Sequence, residues 1–179
     1  MNVSEFISSA LKKIQRGTVD RKSSFRLPVL STAMNDNVFQ RIVVARNYNE
    51  FDHSLLIFTD RESQKYSQLH HNKNCSLLFW DPKQKLQVQV QGEASIVENK
   101  RTHWEKLNNK QKDDYRINPF PGKKISSAMN YGFNSPDNRF EVISIKFKQM
   151  DILELSQTGH YRAKCIFKKD KKEGYWVAP

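Results

Sequence analysis

The chain is sparing with the residues that fasten small secreted folds. It has two cysteines, six glycines and six prolines in 179 residues. Cys75 and Cys165 lie far apart, each in an apolar, strand-like run, with no Cys-x-x-Cys spacing. That rules against a disulfide framework or a cysteine zinc site and predicts two buried, reduced thiols. The histidines (His53, His70, His71, His103 and His160) show no ligand spacing. On a helix the adjacent His70 and His71 would point about 100° apart, so no metal site is expected. No apolar run reaches the roughly 20 residues that cross a bilayer. The first fifteen residues carry Glu5 and lack a continuous apolar core, so they do not read as a secretory signal. A cytoplasmic location, with no membrane association, is the expectation. Acidic residues are also short, 19 against 30 Lys and Arg, for a net charge of +11. The deficit favours an anionic partner: nucleic acid, a phosphate-bearing ligand or an anionic surface. The competing explanation is a solvated lysine-rich surface, and part of the excess sits in an apparent exposed turn, "KKDKKEG" from Lys168.

What is present suits a globular domain. Hydrophobic residues make up 37% of the chain and aromatics 11%, too rich for disorder. A single domain over 1–179 is expected from this length. Phe6, Ile7, Ala10, Leu11 and Ile14 recur at helical spacing, predicting a helix over about 4–16 with Ser4 as cap and Gly17 as stop. Asn35 to Asn37 signals a turn, and "VFQRIVVARNY" after it reads as the second strand of a hairpin. "HSLLIFTD" and "CSLLFWDP" are short apolar runs expected as buried strands, with a polar helical stretch, "RESQKYSQLHHN", between them. Leu86 to Val97 alternates polar and apolar, the cleanest strand signal in the chain. "ENKRTHWEKLNNKQKDDYR" reads as helical. Residues 117–138, rich in Pro, Gly, Ser and Asn, predict a long functional loop, with Ser126, Ser127 and Tyr131 as candidate contacts. "RFEVISIKF", "MDILEL", "YRAKCIF" and "GYWVAP" complete a set of short strands. Connections this short disfavour parallel crossovers and predict a small antiparallel barrel over about 25–179.

Several residues could meet an anion. Arg41 and Arg46 flank Ile42, Val43 and Val44, and on a plain strand they would face opposite ways. Thr59, Ser63, Gln64 and Lys65 follow a buried strand and open a helix, where free backbone N–H groups and the helix dipole suit a phosphate. Gln87, Gln89 and Gln91 share one strand face, and an amide can read a heterocycle that offers both donors and acceptors. His160, Arg162 and Lys164 alternate with Tyr161, Ala163 and Cys165, placing three basic groups on one face. Singly, each of these is also compatible with a wet surface.

In order, "RIVVAR", "LLIFTD", "SQKYSQL", "CSLLFW" and "LQVQVQGEA" resemble the flavin-binding core of the pyridoxamine 5'-phosphate oxidase-like family. "DILELSQTGHYRAKCIF" and "YWVAP" resemble its last strands, so the likeness runs over roughly 25–179. The resemblance implies a mainly β, α+β fold: an antiparallel split β-barrel with a few flanking helices, and FMN held at the interface of a homodimer. It implies cofactor contacts from Arg41, Ile42, Val43, Val44, Arg46, Phe58, Thr59, Ser63, Gln64, Lys65, Gln87 and Lys164. Arg46 stands where a lysine is usual, and Gln64 replaces an arginine of the phosphate-binding run. His160 and Arg162 stand for the substrate pair with the residue types reversed. The family's other substrate-phosphate residues and a late tryptophan have no counterpart here. No protein catalytic residue is implied, because hydride chemistry belongs to the flavin. The implied function is an FMN-dependent oxidoreductase acting on a small molecule. The alternatives are a flavin-binding module without turnover and, disfavoured because the aromatics lie in apolar runs, a basic nucleic-acid-binding barrel.

Overall fold

A computed structural model describes residues 2–136, 138–169 and 171–179. Helix α1 spans Val3–Val19, three residues beyond the expected end. Its cap is Asn2, which accepts from the Glu5 N–H while the Glu5 carboxylate accepts from the Asn2 N–H. This reciprocal capping box displaces Ser4 from the cap position. Gly17 does not stop the helix. A Cβ there would sit 2.5 Å from the Phe25 carbonyl oxygen, so glycine is needed for close packing inside the last turn.

Nine strands follow among the described residues. β1 (Val29–Met34) and β2 (Asn37–Ile42) form a hairpin whose turn residues, Asn35 and Asp36, both take positive φ, at 49° and 61°. β3 is Asn47–Asn49 and β4 is Ser54–Asp60. Helix α2 (Gln64–His71) leads to β5 (Asn74–Asp81) and β6 (Leu86–Ile96). The next stretch holds two short helices, α3 (Arg101–Glu105) and α4 (Asn109–Asp113), where one helical segment was expected. After an irregular stretch, β7 (Phe140–Glu154) is a single fifteen-residue strand in place of the two expected. β8 (Tyr161–Phe167) and β9 (Lys172–Trp176) end the chain. No helix among the described residues is long and apolar enough to cross a membrane.

Every pairing is antiparallel, in the order β2-β1-β5-β6-β7-β4-β3, with β8 and β9 added at β7. β7 is the spine. One edge pairs with β6 along most of its length, while the other pairs with β4 through its first half and with β8 through its second. A bulge between Gln91 and Gly92 adjusts the β6–β7 register, and Gly92 is forced because a Cβ would lie 2.7 Å from the Lys146 carbonyl oxygen. The strand expected across "RIVVAR" stops at Ile42. Residues 43–46 instead bridge the two ends of the sheet: Val43 and Ala45 donate to Pro28 and Arg26, and Arg46 donates to Leu56 of β4. That bridge curls the sheet into a barrel.

The main core fills the barrel. It joins Phe6, Leu11 and Ile14 of α1 to Leu30, Leu55, Ile57, Leu77, Val88 and Met150, all nearly inaccessible. Each such side chain contributes about 1.5–3 kcal/mol. A second cluster of Leu107, Tyr115, Phe140 and Val142 lies on the other face of β4 and β7, packed with Phe58 and Trp104. β4 is therefore covered on both faces, as its apolar run predicts. β5 is buried on one face only, with Trp80 exposed. Both thiols are buried, which pushes Cys75 up to about 12 and Cys165 to about 11, so both stay protonated and unreactive near neutral pH.

Candidate functional site

Thr59, Ser63, Gln64 and Lys65 gather around the start of α2. Thr59 ends the barrel-facing side of β4, and its hydroxyl lies 2.9 Å from that of Ser63. Ser63 is the α2 N-cap residue, yet its side chain makes no cap bond; it donates instead to the Asp60 carbonyl at 2.7 Å. The first backbone N–H groups of α2 thus have no side-chain cap, which leaves the positive helix end open to an anion. Gln64 is the first residue of the helix. Lys65 is largely buried and donates from Nζ to Thr59 Oγ1 at 3.3 Å. Its pKa is lowered by burial and by the nearby Arg41, with Asp60 pulling the other way.

Arg41 does not reach outward. Its guanidinium donates to Thr32 Oγ1 at 2.6 Å and to Gln68 Oε1 at 2.7 Å, while Thr32 donates to the same Gln68 oxygen at 2.7 Å. Neither Arg41 nor Lys65 has an ion-pair partner among the described residues. Asp60 holds Arg139 with both oxygens, at 3.2 and 3.0 Å. Arg139 also donates to Ser135 Oγ and to the Ile117 carbonyl, so it ties the base of the 117–138 loop to the turn that carries Ser63. Two further bonds, between the backbones of Asn118 and Gly132, close that loop above its base.

Arg46 occupies the other face of β4. Its guanidinium carbon stands 4.9 Å from the Phe58 ring centroid, and its Nε is buried with no hydrogen-bond partner among the described residues. His103 packs on the same phenylalanine. Burial pushes the nearby Tyr115 phenol up, and the Arg46 guanidinium partly offsets the effect. Arg41 and Arg46 do differ in facing, but through the break at Ile42 rather than the alternation of one strand. Ile42 is exposed, Val43 is buried and Val44 is half-buried.

Gln87 and Lys164 lie on the outside of the barrel. One cross-strand row there runs Leu78, Gln89, Asp151, Lys164 and Tyr175. Gln87 sits five residues along the ladder from Gly92, whose row includes Thr32, so it is about 17 Å away along the strand and on the opposite face. A single chain therefore does not bring Arg46, Lys65 and Gln87 into one cavity. Grooves of about 560, 530 and 420 Å³ are lined by other residues. The expected basic face of β8 is also altered. His160 precedes the strand, in a turn where its Nδ1 accepts from the Ser156 N–H at 3.2 Å. Arg162 is paired in two-pronged fashion with Asp151, both contacts at 3.0 Å.

The sequence reading missed Thr32, Gln68, Asp60, Arg139 and Tyr115. Gln68 was recoverable in part: it lies three residues from Lys65 and so near it on the helix surface. Thr32 is a polar residue at an inward position of β1. The Asp60–Arg139 pair joins residues 79 apart, which no local pattern reveals.

The family model for pyridoxamine 5'-phosphate oxidase matches residues 19–152, about three quarters of the sequence. The chain belongs to that family. Among curated proteins no sequence match was found. Solved structures share the fold, an antiparallel split barrel. A pyridoxamine 5'-phosphate oxidase-related, FMN-binding protein from Nostoc punctiforme matches with a TM-score of 0.79 at 18% identity, over 100% of both chains. PhzG from Burkholderia lata, in complex with tetrahydrophenazine-1-carboxylic acid, matches with a TM-score of 0.74 at 14% identity, over 98% of this chain and 90% of that one. An FAD-binding protein from Mesorhizobium loti matches with a TM-score of 0.52 at 16% identity, over 82% and 95%. At such identities these likenesses establish the fold and nothing finer. The chain thus belongs to a family among whose structural neighbours are proteins described as FMN-binding and FAD-binding.

Proposed function

We propose that the chain, as a single 179-residue unit, binds FMN between two copies of itself and works in the cytoplasm as a flavin-dependent oxidoreductase on a small-molecule substrate. The observation that carries this reading is the pair of mutually close cations, Arg41 and Lys65, at an uncapped helix start with no carboxylate of their own. Burying like charges together is unfavourable unless an anion joins them. A phosphate dianion fits that need. Lys65, Ser63 and the first N–H groups of α2 would hold it, with Gln64 adding an amide where the family has a charge. Arg41 would act from behind, through Gln68 and Thr32. The orphaned Nε of Arg46 supplies a buried donor for a further acceptor atom, and Phe58 beside it gives an apolar wall. FMN, when bound, supplies reversible two-electron chemistry in its ring.

The proposed homodimer is supported by where the remaining residues sit. Gln87 and Lys164 can approach the same ligand as Lys65 only if a second copy presents them. Their face carries exposed apolar side chains, Val38 at 70% and Ile42 at 65% among them, with Trp80 and Tyr175 nearby. An apolar face of this kind is suited to burial against another chain. The test is direct: record the visible spectrum of the purified protein, then titrate FMN and follow its fluorescence. A colourless protein that leaves added FMN unquenched would remove the proposal. A second reading, flavin binding without turnover, is favoured by one observation: Asp151 already neutralises Arg162, half of the expected substrate pair. Oxygen uptake against a panel of amine, alcohol and nicotinamide donors separates the two.

A further inference from the structure

A groove of about 530 Å³ opens at the far end of β4 from Thr59, between the β3–β4 hairpin, the middle of β7, the later part of β6 and the residues that follow β8. Its lining brings together two kinds of side chain. Phe51, Phe147, Phe167 and His53 provide rings. Lys73, Lys146, Lys148, Lys168 and Lys169 provide five positive charges, against only Asp52 and Glu93. Glu93 is shared: it is paired with Lys148 at 2.6 Å and lies across the strand from Lys146. Lys73 and Lys146 make no ion pair among the described residues. The groove therefore carries excess positive charge beside aromatic surface.

Its shape is held in place before any ligand arrives. Phe51 is 92% exposed at the hairpin tip, although its backbone is fixed by a bond from its N–H to Asn49 Oδ1 at 3.0 Å. His53 takes φ 52°, a left-handed conformation that glycine or asparagine adopts more cheaply. Its ring is kept there by the Tyr48 hydroxyl, 2.6 Å from Nδ1, and by Phe167, with ring centroids 4.7 Å apart. The His53 carbonyl accepts from the Phe147 N–H at 2.9 Å, anchoring the hairpin to β7. A phenylalanine side chain exposed to water on a fixed backbone, in a groove lined by lysines of which two make no ion pair among the described residues, has no packing role of its own. It offers a stacking platform.

We propose that this groove is a second ligand site, separate from the cation cluster at α2, and that it takes an aromatic base bearing a phosphate: a molecule the size of a nucleoside monophosphate. The ring stacks at Phe51 and His53. The phosphate meets Lys146 and Lys73, whose compact ammonium groups suit a dianion. The volume lies within the range of small-ligand pockets. The proposal does not depend on the flavin reading. The 17 Å or so that separates Ser54 from Thr59 along β4 keeps the two sites apart.

The test is calorimetric titration of the full chain, with and without saturating FMN, using adenosine 5'-monophosphate, adenosine and inorganic phosphate as probes. The monophosphate should bind about tenfold or more tighter than either fragment, since stacking and charge act together. Phe51→Ala and Lys146→Ala should each weaken it by about fivefold or more, while Lys65→Ala leaves it unchanged. Phe51 is too exposed for its loss to unfold the protein, and circular dichroism checks that. Equal binding of monophosphate and free phosphate, or indifference to Phe51→Ala, would overturn the proposal. So would loss of binding in Lys65→Ala, which would place the monophosphate at α2. An oligo(dT) strand that binds far more tightly and displaces the monophosphate would overturn it in favour of a nucleic-acid groove.

Discussion

The two halves of the candidate flavin site are built on different principles. Around α2 the side chains are wired from behind: Arg41 to Thr32 and Gln68, Lys65 to Thr59, Ser63 to Asp60. What is left unsatisfied there is positive and largely buried. On the outside of the barrel, Gln87 and Lys164 stand on a regular strand surface, and Arg162 already has its carboxylate. The first half holds cations without an ion-pair partner among the described residues, a charge pattern that the proposed phosphate would answer. The second half is at rest in one chain, and under the proposed dimer would acquire a role only when a second copy covers it. A pre-organised site would thus be legible in a single chain as uncompensated charge, whereas the proposed shared interface would be legible only as exposed apolar surface.

The strongest way to break this contrast acts on the support of the first half. Arg139→Ala leaves Asp60 buried without its cation and should cost about 3–5 kcal/mol, read as a lower urea midpoint. The loss should be accompanied by weaker FMN binding, because Asp60 carries the turn with Ser63. Gly17→Ala is next. In an exposed helix this change stabilises by up to about 1 kcal/mol, but here the new Cβ meets the Phe25 carbonyl and the expected sign is reversed, by about 1–3 kcal/mol. Lys65→Met should then weaken FMN about tenfold or more with little effect on the fold, since a charge-assisted contact to phosphate is lost. Arg162→Ala removes a half-exposed pair and should shift stability by less than about 1 kcal/mol. If Arg162→Ala weakened FMN as much as Lys65→Met did, the contrast between the halves would fail.

The smallest effect sharpens the picture through pH. Lys65 has a folded pKa below its ordinary 10.5, so between the two values the unfolded chain holds a proton that the folded chain has released. Stability of the FMN-free protein should therefore rise with pH across that window and lose the benefit below it. Lys65→Met should flatten the slope, and bound FMN should diminish it by restoring the charge. Urea midpoints across the alkaline range measure both.

Much of the fold could be read directly, and the errors have physical sources. β6 was plain because Val88 and Val90 alternate with glutamines, a period that only a half-buried strand explains. β4 was plain because its apolar run is covered on both faces. "RIVVAR" misled because its β-forming residues suit a strand, while closure of the barrel requires the chain to leave β2 at Ile42 and cross to β4. Gly17 misled because the local signal for a helix end is also the requirement for close approach to a neighbour. The two predicted strands at 140–154 are one because β7 changes partner from β4 to β8 midway, which does not interrupt its backbone.

The candidate cofactor residues divide in the same way. Local chemistry pointed to Ser63, Gln64 and Lys65, because a helix start is a local event with a local dipole. Period and composition likewise dictated that the chain would fold as antiparallel β with reduced, buried thiols and a basic surface. Long-range pairing decided the rest: that Arg41 would turn inward onto Gln68, that Arg46 would keep a buried donor unpaired beside Phe58, and that Asp60 would be claimed by Arg139. Which charges are neutralised depends on neighbours distant in sequence, and those neighbours exist only once the barrel has closed.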